Sequence, residues 1–273
     1  MLATGAGSST GSAPLRYSVA VEEGLDVDPA EFANIARSEQ RFWWYRGMNR
    51  ILFRLLDPIA SARTFTRVLE AGCGTGANIA MLQQFGAVEA FEPFEFARNH
   101  AADLTGLNIK DGALPSPLPF DQPFDLVCAF DVIEHIDDDT GSVKALYDIT
   151  KGNGYAVFTV PAYQFLWSNH DEVNHHKRRY VKKQLEQVLK DAGYEVEFIS
   201  YYNMFLFPLA VAVRLGKKLF RMADKPDEEM PRSTFVNQTL LEMFTWEKTL
   251  LKHMSLPFGL SLIAVCRKSV DAR

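Results

Sequence analysis

The sequence has few cysteines, no excess of basic residues and no long apolar run. Its three cysteines are far apart and form no Cys-x-x-Cys pair, which argues against a disulfide framework or a structural zinc site. Lys and Arg number 29 against 34 Asp and Glu, and this net charge of −5 argues against a dedicated nucleic-acid binder. The most apolar stretch, Met204–Val213, is too short to cross a bilayer, which takes about 20 residues. We therefore expect a cytoplasmic protein with reduced cysteines.

The chain is otherwise composed like a globular protein, with 47% hydrophobic and 23% charged residues. Residues 1–27 begin with a Gly/Ser/Thr-rich string, and we expect them to form a flexible tail. Asp28 and Pro29 resemble a helix start, and helical apolar spacing follows. This pattern predicts an N-terminal helical lid over 28–62, which we expect Pro58 to interrupt.

From residue 67 onward, apolar runs typical of buried strands alternate with helical stretches. The strand candidates are Val68–Ala71, Val88–Phe91, Phe124–Phe130, Tyr155–Val160, Glu195–Tyr201 and Gly259–Arg267, with a weaker one at Asn108–Lys110. The helix candidates are Asn78–Phe85, Glu95–Asp103, Thr140–Thr150, Val181–Ala192, Phe205–Phe220 and Phe235–His253. The alternation predicts an α/β fold with a doubly wound, mostly parallel seven-stranded sheet. We expect this sheet to be built from 63–201 and 258–268, with residues 202–257 inserted as a helical cap.

A glycine-rich loop follows the first predicted strand. Glu70-Ala71-Gly72-Cys73-Gly74-Thr75-Gly76 places three glycines at alternate positions behind an acidic residue. Glycine admits backbone angles closed to other residues and lets a ligand approach the main chain. Because the first strand of an open parallel sheet ends at the switch point where ligands bind, the loop predicts a cofactor site.

The glycine pattern alone fits two cofactors. Gly72-x-Gly74-x-x-Ala77, with Glu92 further along, also fits a dinucleotide fingerprint and hence a nicotinamide-dependent oxidoreductase. Glu70 favours the other cofactor, because a carboxylate there repels a pyrophosphate and suits a ligand with an ammonium group. With this acid included, the loop resembles the first motif of the class I S-adenosylmethionine-dependent methyltransferases.

That resemblance extends from about Val68 to Val160 and implies a Rossmann-like methyltransferase fold. It implies that Glu92 binds the ribose hydroxyls and that Asp111, with Ala113, faces the adenine, although Asp-Gly is also an ordinary turn sequence. The full set of cofactor contacts that it implies is Glu70, Gly72, Cys73, Gly74, Gly76, Asn78, Glu92, Pro93, Asp111, Ala113 and Asp131.

A short polar segment ends the fourth predicted strand. His135 suits a general base there, because imidazole titrates near neutral pH. Alternatively, Glu134 and His135 only begin and cap the next helix. Ubiquinone-pathway O-methyltransferases carry a similar Glu-His pair that is thought to use a divalent ion, so Asp131, Glu134 and His135 are a candidate metal cluster. We expect no metal, because three ligands from one short segment are weak evidence.

A second polar group follows the fifth predicted strand, which Pro161 ends. Small-molecule methyltransferases place a His- and Arg-containing loop here, over the acceptor pocket. By this resemblance we expect His170 and His175 to join His135 as catalytic residues, and Tyr163 and Arg179 to contact the acceptor. The alternative for the basic run at 177–183 is a solvated helix start.

The aromatic run Phe42-Trp43-Trp44-Tyr45 is dense enough to line a lid over the cofactor. Its rings would also attract the sulfonium cation. We therefore expect Trp44 and Tyr45 to contact the substrate, with core packing as the alternative role for the run.

These observations predict methyl transfer from S-adenosylmethionine to an oxygen or nitrogen of a small-molecule or lipid-like metabolite, without a nucleic-acid partner. The cap is expected either to roof the acceptor pocket or to rest on a membrane surface, since basic residues follow its apolar helix. A nicotinamide-dependent oxidoreductase and a non-catalytic cofactor-binding protein are the alternatives.

Overall fold

The computed structural model of the protein describes residues 42–219 and 233–270. Its strands are β1 (Arg67–Ala71), β2 (Ala87–Phe91), β3 (Phe124–Phe130), β4 (Thr150–Pro161), β5 (Glu195–Tyr202) and β6 (Ser261–Arg267). Its α-helices are α1 (Trp43–Ala62), α2 (Ile79–Leu82), α3 (Glu95–Thr105), α4 (Asp139–Ile149), α5 (Asn169–Val173), α6 (Lys182–Asp191), α7 (Phe207–Leu219) and α8 (Thr234–Leu251). Short 3₁₀ turns at Ile133–His135 and Gln164–Leu166 follow β3 and β4. The expected tail and the helix start at Asp28 lie outside the described residues.

The described strands form one mixed sheet in the order β2-β1-β3-β4-β6-β5. The pairs β1–β2, β1–β3 and β3–β4 are parallel, whereas β6 runs antiparallel to both β4 and β5. The sheet is therefore mostly parallel, as predicted, and β1, β3, β4 and β5 all end at the same edge.

The prediction of a seventh strand is wrong within the described part of the chain. Of Asn108–Lys110, only Lys110 pairs, through a single parallel bridge to Phe91. Its N–H donates to the Ala90 carbonyl and its carbonyl accepts from the Glu92 N–H, both at 3.0 Å. The Asp-Gly turn sequence that follows at once ends the ladder before a strand forms.

Helices cover both faces of the sheet, as buried parallel strands require. Alternate strand residues enter two separate cores. One core joins Val68 and Leu126 to α1 and α8. The other joins Leu69 and Val127 to α4 and α6. The predicted doubly wound arrangement is thereby confirmed.

The predicted interruption at Pro58 is wrong, because α1 continues through it to Ala62. An internal proline costs a helix about 3 kcal/mol. Burial of Ile51, Leu52 and Leu56, each at most 1% exposed, offsets this at about 1.5–3 kcal/mol per side chain.

The cap packs its second helix along the N-terminal helix. Gly47 of α1 permits this approach, since a Cβ there would lie 2.2 Å from the Phe244 ring of α8. Trp44 stacks on Phe244 with ring centroids 5.2 Å apart. Residues distant in sequence therefore form one wall at the edge where the strands end. None of the described helices is long and apolar enough to cross a membrane.

Candidate active site

A cavity of about 490 Å³ opens at the edge where β1, β3 and β4 end. We call it the central cavity. Its walls come from the loops after these strands, from the start of α1 and from the cap. The lining residues are Phe42, Trp43, Trp44, Tyr45, Met48, Gly72, Cys73, Gly74, Thr75, Ala77, Asn78, Phe130, Asp131, Glu134, His135, Pro161, His170, Asn174, His176, Arg179, Asn203, Arg214, Leu260 and Ser261.

The glycine loop (Gly72–Gly76) forms one end of the central cavity. Gly72 and Gly74 have φ of 63° and 52°, in the left-handed region that favours glycine. A Cβ at Gly74 would meet no atom within 4 Å. The main chain is therefore bare toward the cavity, and a ligand can approach it closely.

Glu70 lies behind the glycine loop and supports it. It is 1% exposed and does not line the cavity. Burial raises its pKa to about 8. The Asn78 amide, which does line the cavity, donates to Glu70 Oε1 at 2.9 Å. Glu70 therefore positions Asn78, and a cationic ligand at this end would favour its ionised form.

Glu92 fixes the glycine loop from the neighbouring strand. It accepts hydrogen bonds from Gly74 N–H at 2.9 Å and from Phe94 N–H at 3.1 Å, while its burial raises its pKa. Arg98 donates to the Glu92 carbonyl at 2.8 Å and to Asp111 Oδ1 at 3.2 Å. Glu92 and Asp111 are thus brought to one edge of the sheet, beside the cavity rather than in its lining.

Two acidic residues line the floor of the cavity after β3. Asp131 accepts from the Thr159 hydroxyl at 3.1 Å, and burial raises its pKa. Glu134 is fully buried, its pKa is raised well above the usual range, and neither carboxyl oxygen has a partner among the described residues. Both acids lie before α4, which Asp138 caps. Glu134 and His135 form a 3₁₀ turn, so the alternative that they begin the next helix is wrong.

A buried ion-pair network orients His176 toward the cavity. His176 Nδ1 lies 2.9 Å from Asp171 Oδ1, and the same oxygen accepts from Arg179 Nε at 2.6 Å. Hydrogen bonds to His176 and Arg179 hold the pKa of Asp171 well below its usual range. Since the Asp171 carboxylate can only accept, His176 Nδ1 carries the proton and Nε2 is left as the basic nitrogen.

Two other imidazoles surround His176. The rings of His135 and His170 lie edge to face with it, at centroid distances of 4.6 and 5.6 Å. Burial lowers the pKa of His135 to about 4 and that of His170 to about 3. Both are therefore neutral and weakly basic at pH 7. His135, His170 and His176 form the histidine cluster.

The part of the chain that forms most of this cavity matches a known domain family. The methyltransferase domain family matches residues 39–198, more than half of the chain. The chain belongs to this family.

Comparison with individual proteins agrees with the family. The methyltransferase domain is 27% identical over 154 residues to a ubiquinone biosynthesis O-methyltransferase from Shewanella sp. (strain ANA-3), covering 51% of this chain and 65% of that protein. A protein of the same name from Saccharophagus degradans is 25% identical, with 63% of this chain and 84% of that protein covered. The chain thus matches slightly less than two thirds of the length of the Shewanella relative.

Solved structures agree on the fold. A S-adenosylmethionine-dependent methyltransferase from Clostridium acetobutylicum superposes with a TM-score of 0.53 at 13% identity, covering 82% of this chain and 92% of that chain. The family assigns S-adenosylmethionine as methyl donor and excludes the nicotinamide alternative for the glycine loop.

The structure places about half of the residues expected from sequence in the lining of the central cavity. Those in the cavity lining are Gly72, Cys73, Gly74, Asn78, Asp131, His135, His170, Arg179, Trp44 and Tyr45. Those outside the lining are Glu70, Gly76, Glu92, Pro93, Asp111, Ala113, His175 and Tyr163. Tyr163 stacks instead on Tyr201, with ring centroids 4.9 Å apart.

Three residues that line the cavity were not selected from the sequence: His176, Asn203 and Arg214. Asp171 five residues before His176 was the available signal for a buried Asp–His pair. Asn203 and Arg214 lie in or near the cap, where no motif marks them. Trp44 both lines the cavity and stacks on Phe244 in the core, so core packing is compatible with a place at the cavity, and contact with the substrate stays a prediction.

Two residues of the histidine cluster, together with Glu134, also fit a cation. Among the described residues, Glu134, His135 and His176 offer ligand atoms that lie within 4.8 Å of one another. His176 thus takes the place that the sequence hypothesis gave to Asp131. A carboxylate and two imidazoles are a donor set that suits transition ions. Such an ion would lower the pKa of an acceptor hydroxyl.

Proposed function

We propose that the protein transfers the methyl group of S-adenosylmethionine to an oxygen or nitrogen of a small-molecule or lipid-like acceptor. One observation carries the proposal: the glycine loop and His176 line the same cavity. A donor held at the glycine loop and a proton acceptor at His176 would then face the same cavity, with the methyl acceptor between them.

For this reaction the protein needs mainly to position the donor, the acceptor and a proton acceptor. The acceptor's lone pair forms a bond to the methyl carbon as the carbon–sulfur bond breaks, leaving S-adenosylhomocysteine. The acceptor's proton passes to His176 Nε2, while Asp171 holds the ring and stabilises the imidazolium. The aromatic start of α1 excludes water from the site.

An oxygen is the first accepting atom to test. The curated relatives are named ubiquinone biosynthesis O-methyltransferases, which supports a hydroxyl acceptor with an apolar portion. The aromatic lining from Phe42, Trp43, Trp44 and Tyr45 gives such a portion a surface to contact.

Binding and product analysis test the proposal together. We expect calorimetry to show S-adenosylmethionine and S-adenosylhomocysteine binding, with no binding of NAD. Incubation with methyl-labelled donor and a metabolite extract, read by mass spectrometry, should then give one class of labelled O- or N-methyl product. NAD binding without S-adenosylmethionine binding would overturn the proposal. Tight donor binding with no product in any extract would favour the non-catalytic alternative.

We further propose that the cap rests on a membrane surface while the protein remains cytoplasmic. Large apolar side chains are exposed on the cap: Phe235 is 80%, Trp246 63% and Leu209 61% exposed. Phe235 and Trp246 line a shallow groove with Phe205 and Met243. The sequence of α7 carries basic residues and no acidic one, which suits anionic lipid.

A further inference from the structure

Asn203 lies in the part of the cavity wall that is farthest from the glycine loop along the sheet edge. The cavity is lined by loops after β1, β3 and β4, by Ser261 at the start of β6, and by Asn203 directly after β5. In the strand order β1-β3-β4-β6-β5, the glycine loop and Asn203 therefore stand at the two ends of the row. A donor held at the glycine loop leaves the Asn203 end to the methyl acceptor.

The Asn203 side chain is buried with its hydrogen-bonding capacity unused. It is 0% exposed and lines the cavity, yet neither Oδ1 nor Nδ2 has a partner among the described residues. Buried polar groups of folded proteins are nearly always paired, because an unpaired buried donor or acceptor destabilises the fold. A ligand group that pairs with this amide would remove that penalty.

The surrounding structure fixes the backbone of Asn203. Its φ of 59° lies in the left-handed region, which Asn tolerates better than most residues. Its carbonyl accepts from Leu260 N–H at 3.4 Å. The buried Glu247 of α8 accepts from Phe205 N–H at 3.0 Å and so fixes the turn after β5. Residues held in such conformations by their surroundings cluster at ligand sites.

An aromatic surface lies beside Asn203. The ring of the preceding residue, Tyr202, stacks on Trp44 with centroids 6.3 Å apart, and Trp44 lines the cavity. Tyr202 also pairs with Ser261 across the β5–β6 ladder. An aromatic ring that carries a polar group can therefore contact Trp44 and Asn203 together.

The Asn203 amide can choose among polar groups because its two ends differ. Oδ1 only accepts hydrogen bonds and Nδ2 only donates them. A carboxylate only accepts and an ammonium only donates, so either would leave one end of the amide unpaired. A neutral group with a donor beside an acceptor, as in a carboxamide, pairs with both ends.

We propose that Asn203 determines acceptor specificity by binding a neutral group of the methyl acceptor that carries a hydrogen-bond donor beside an acceptor, the pattern of a carboxamide. This proposal rests on the proposed function, since it names the acceptor's chemical class.

Two probes of nearly the same shape test the proposal. Benzamide and acetophenone both present a carbonyl oxygen, but benzamide has an NH₂ group where acetophenone has a methyl group. Each is titrated by calorimetry into the protein loaded with S-adenosylhomocysteine. We expect benzamide to bind about tenfold or more tighter, because only benzamide can donate to Asn203 Oδ1.

Asn203→Gly removes the amide without backbone strain, since glycine is favoured at positive φ. In this variant we expect the affinities for benzamide and acetophenone to differ by less than about twofold. Asn153→Gly is the matched control, because Asn153 has a similar φ of 62° and lies outside the cavity lining. It should keep the wild-type preference for benzamide.

Asn203→Asp gives a second test, because Asp also tolerates positive φ. Its carboxylate should make the protein bind cationic benzamidine about tenfold or more tighter than the wild type does, through charge-assisted hydrogen bonds. Equal binding of benzamide and acetophenone to the wild type, no binding of either, or a preference kept in Asn203→Gly overturns the proposal. Unchanged benzamidine affinity in Asn203→Asp also overturns it. Failure of S-adenosylhomocysteine to bind would instead contradict the proposed function.

Discussion

His176 Nδ1 lies 2.9 Å from Asp171 Oδ1, and that carboxylate has no exposed surface. We expect His176→Asn to lower kcat about 10²–10⁴-fold, because the proton acceptor is lost, while S-adenosylmethionine affinity stays within about twofold. Rates and calorimetry on the same preparations measure both. The neighbouring His175 lies outside the cavity lining, so His175→Asn should cost less than about tenfold. Equal losses in both variants would remove His176 from the proposed role.

Asp171 also ties stability to pH. Its pKa is depressed in the folded protein, chiefly by hydrogen bonds from His176 and Arg179 against the opposing effect of burial. Its contribution is therefore present above its unfolded pKa of about 3.9 and is lost as pH falls toward the folded value. We expect Asp171→Asn to lower the free energy of unfolding by about 3 kcal/mol at pH 7, since Arg179 is left buried without its charged partner. Denaturant melts at pH 7 and pH 3 should show this difference shrinking in acid, and a constant difference contradicts the linkage.

The parts of the fold that were predictable are those encoded locally. Val68–Ala71 and the glycine loop are adjacent in sequence, so strand, turn and cofactor end follow from one stretch. Local sequence did not indicate whether His175 or His176 would pair with Asp171. His175 has a φ of 54°, and loop dihedrals of this kind, which no periodicity predicts, decide which side chain meets Asp171. Asn203 likewise reaches the cavity only through the strand order of the whole sheet.

Alanine substitutions at two glycines with positive φ distinguish an effect on stability from an effect on donor binding. Gly74 and Gly106 have φ of 52° and 70°, and a Cβ at either would meet nothing within 4 Å. Alanine at each should lower the free energy of unfolding by about 1–2 kcal/mol, through backbone strain alone. Only Gly74→Ala should also weaken S-adenosylmethionine binding, since Gly74 lines the cavity and Gly106 does not. Calorimetry showing equal donor affinity in both variants would place the donor elsewhere.

Chelation tests whether the active site works without a metal ion. Glu134, His135 and His176 can hold a cation, yet the Asp171–His176 pair already supplies a proton acceptor. We expect activity to stay within about twofold after exhaustive dialysis against a chelator, because proton transfer to an oriented imidazole needs no ion. Metal content is measured on the same samples. Loss of activity that one divalent ion restores, together with loss of that ion's binding in Glu134→Gln, would establish the metal alternative.

The exposed apolar surface of the cap predicts binding to anionic vesicles. Phe235 and Trp246 are mostly exposed and line one groove, and residues of this kind insert at the level of lipid headgroups. We expect the protein to co-sediment with vesicles containing phosphatidylserine more than with pure phosphatidylcholine, and increasingly less at high salt. Replacing Phe235 and Trp246 together by serine should lower the bound fraction severalfold, because burial of apolar surface contributes about 25 cal/mol per Å².

Leu104→Ser is the matched control, since Leu104 is an exposed apolar residue on α3, and this variant should bind like the wild type. Equal sedimentation of all three proteins, or none with either vesicle, leaves the cap as a roof over the acceptor only.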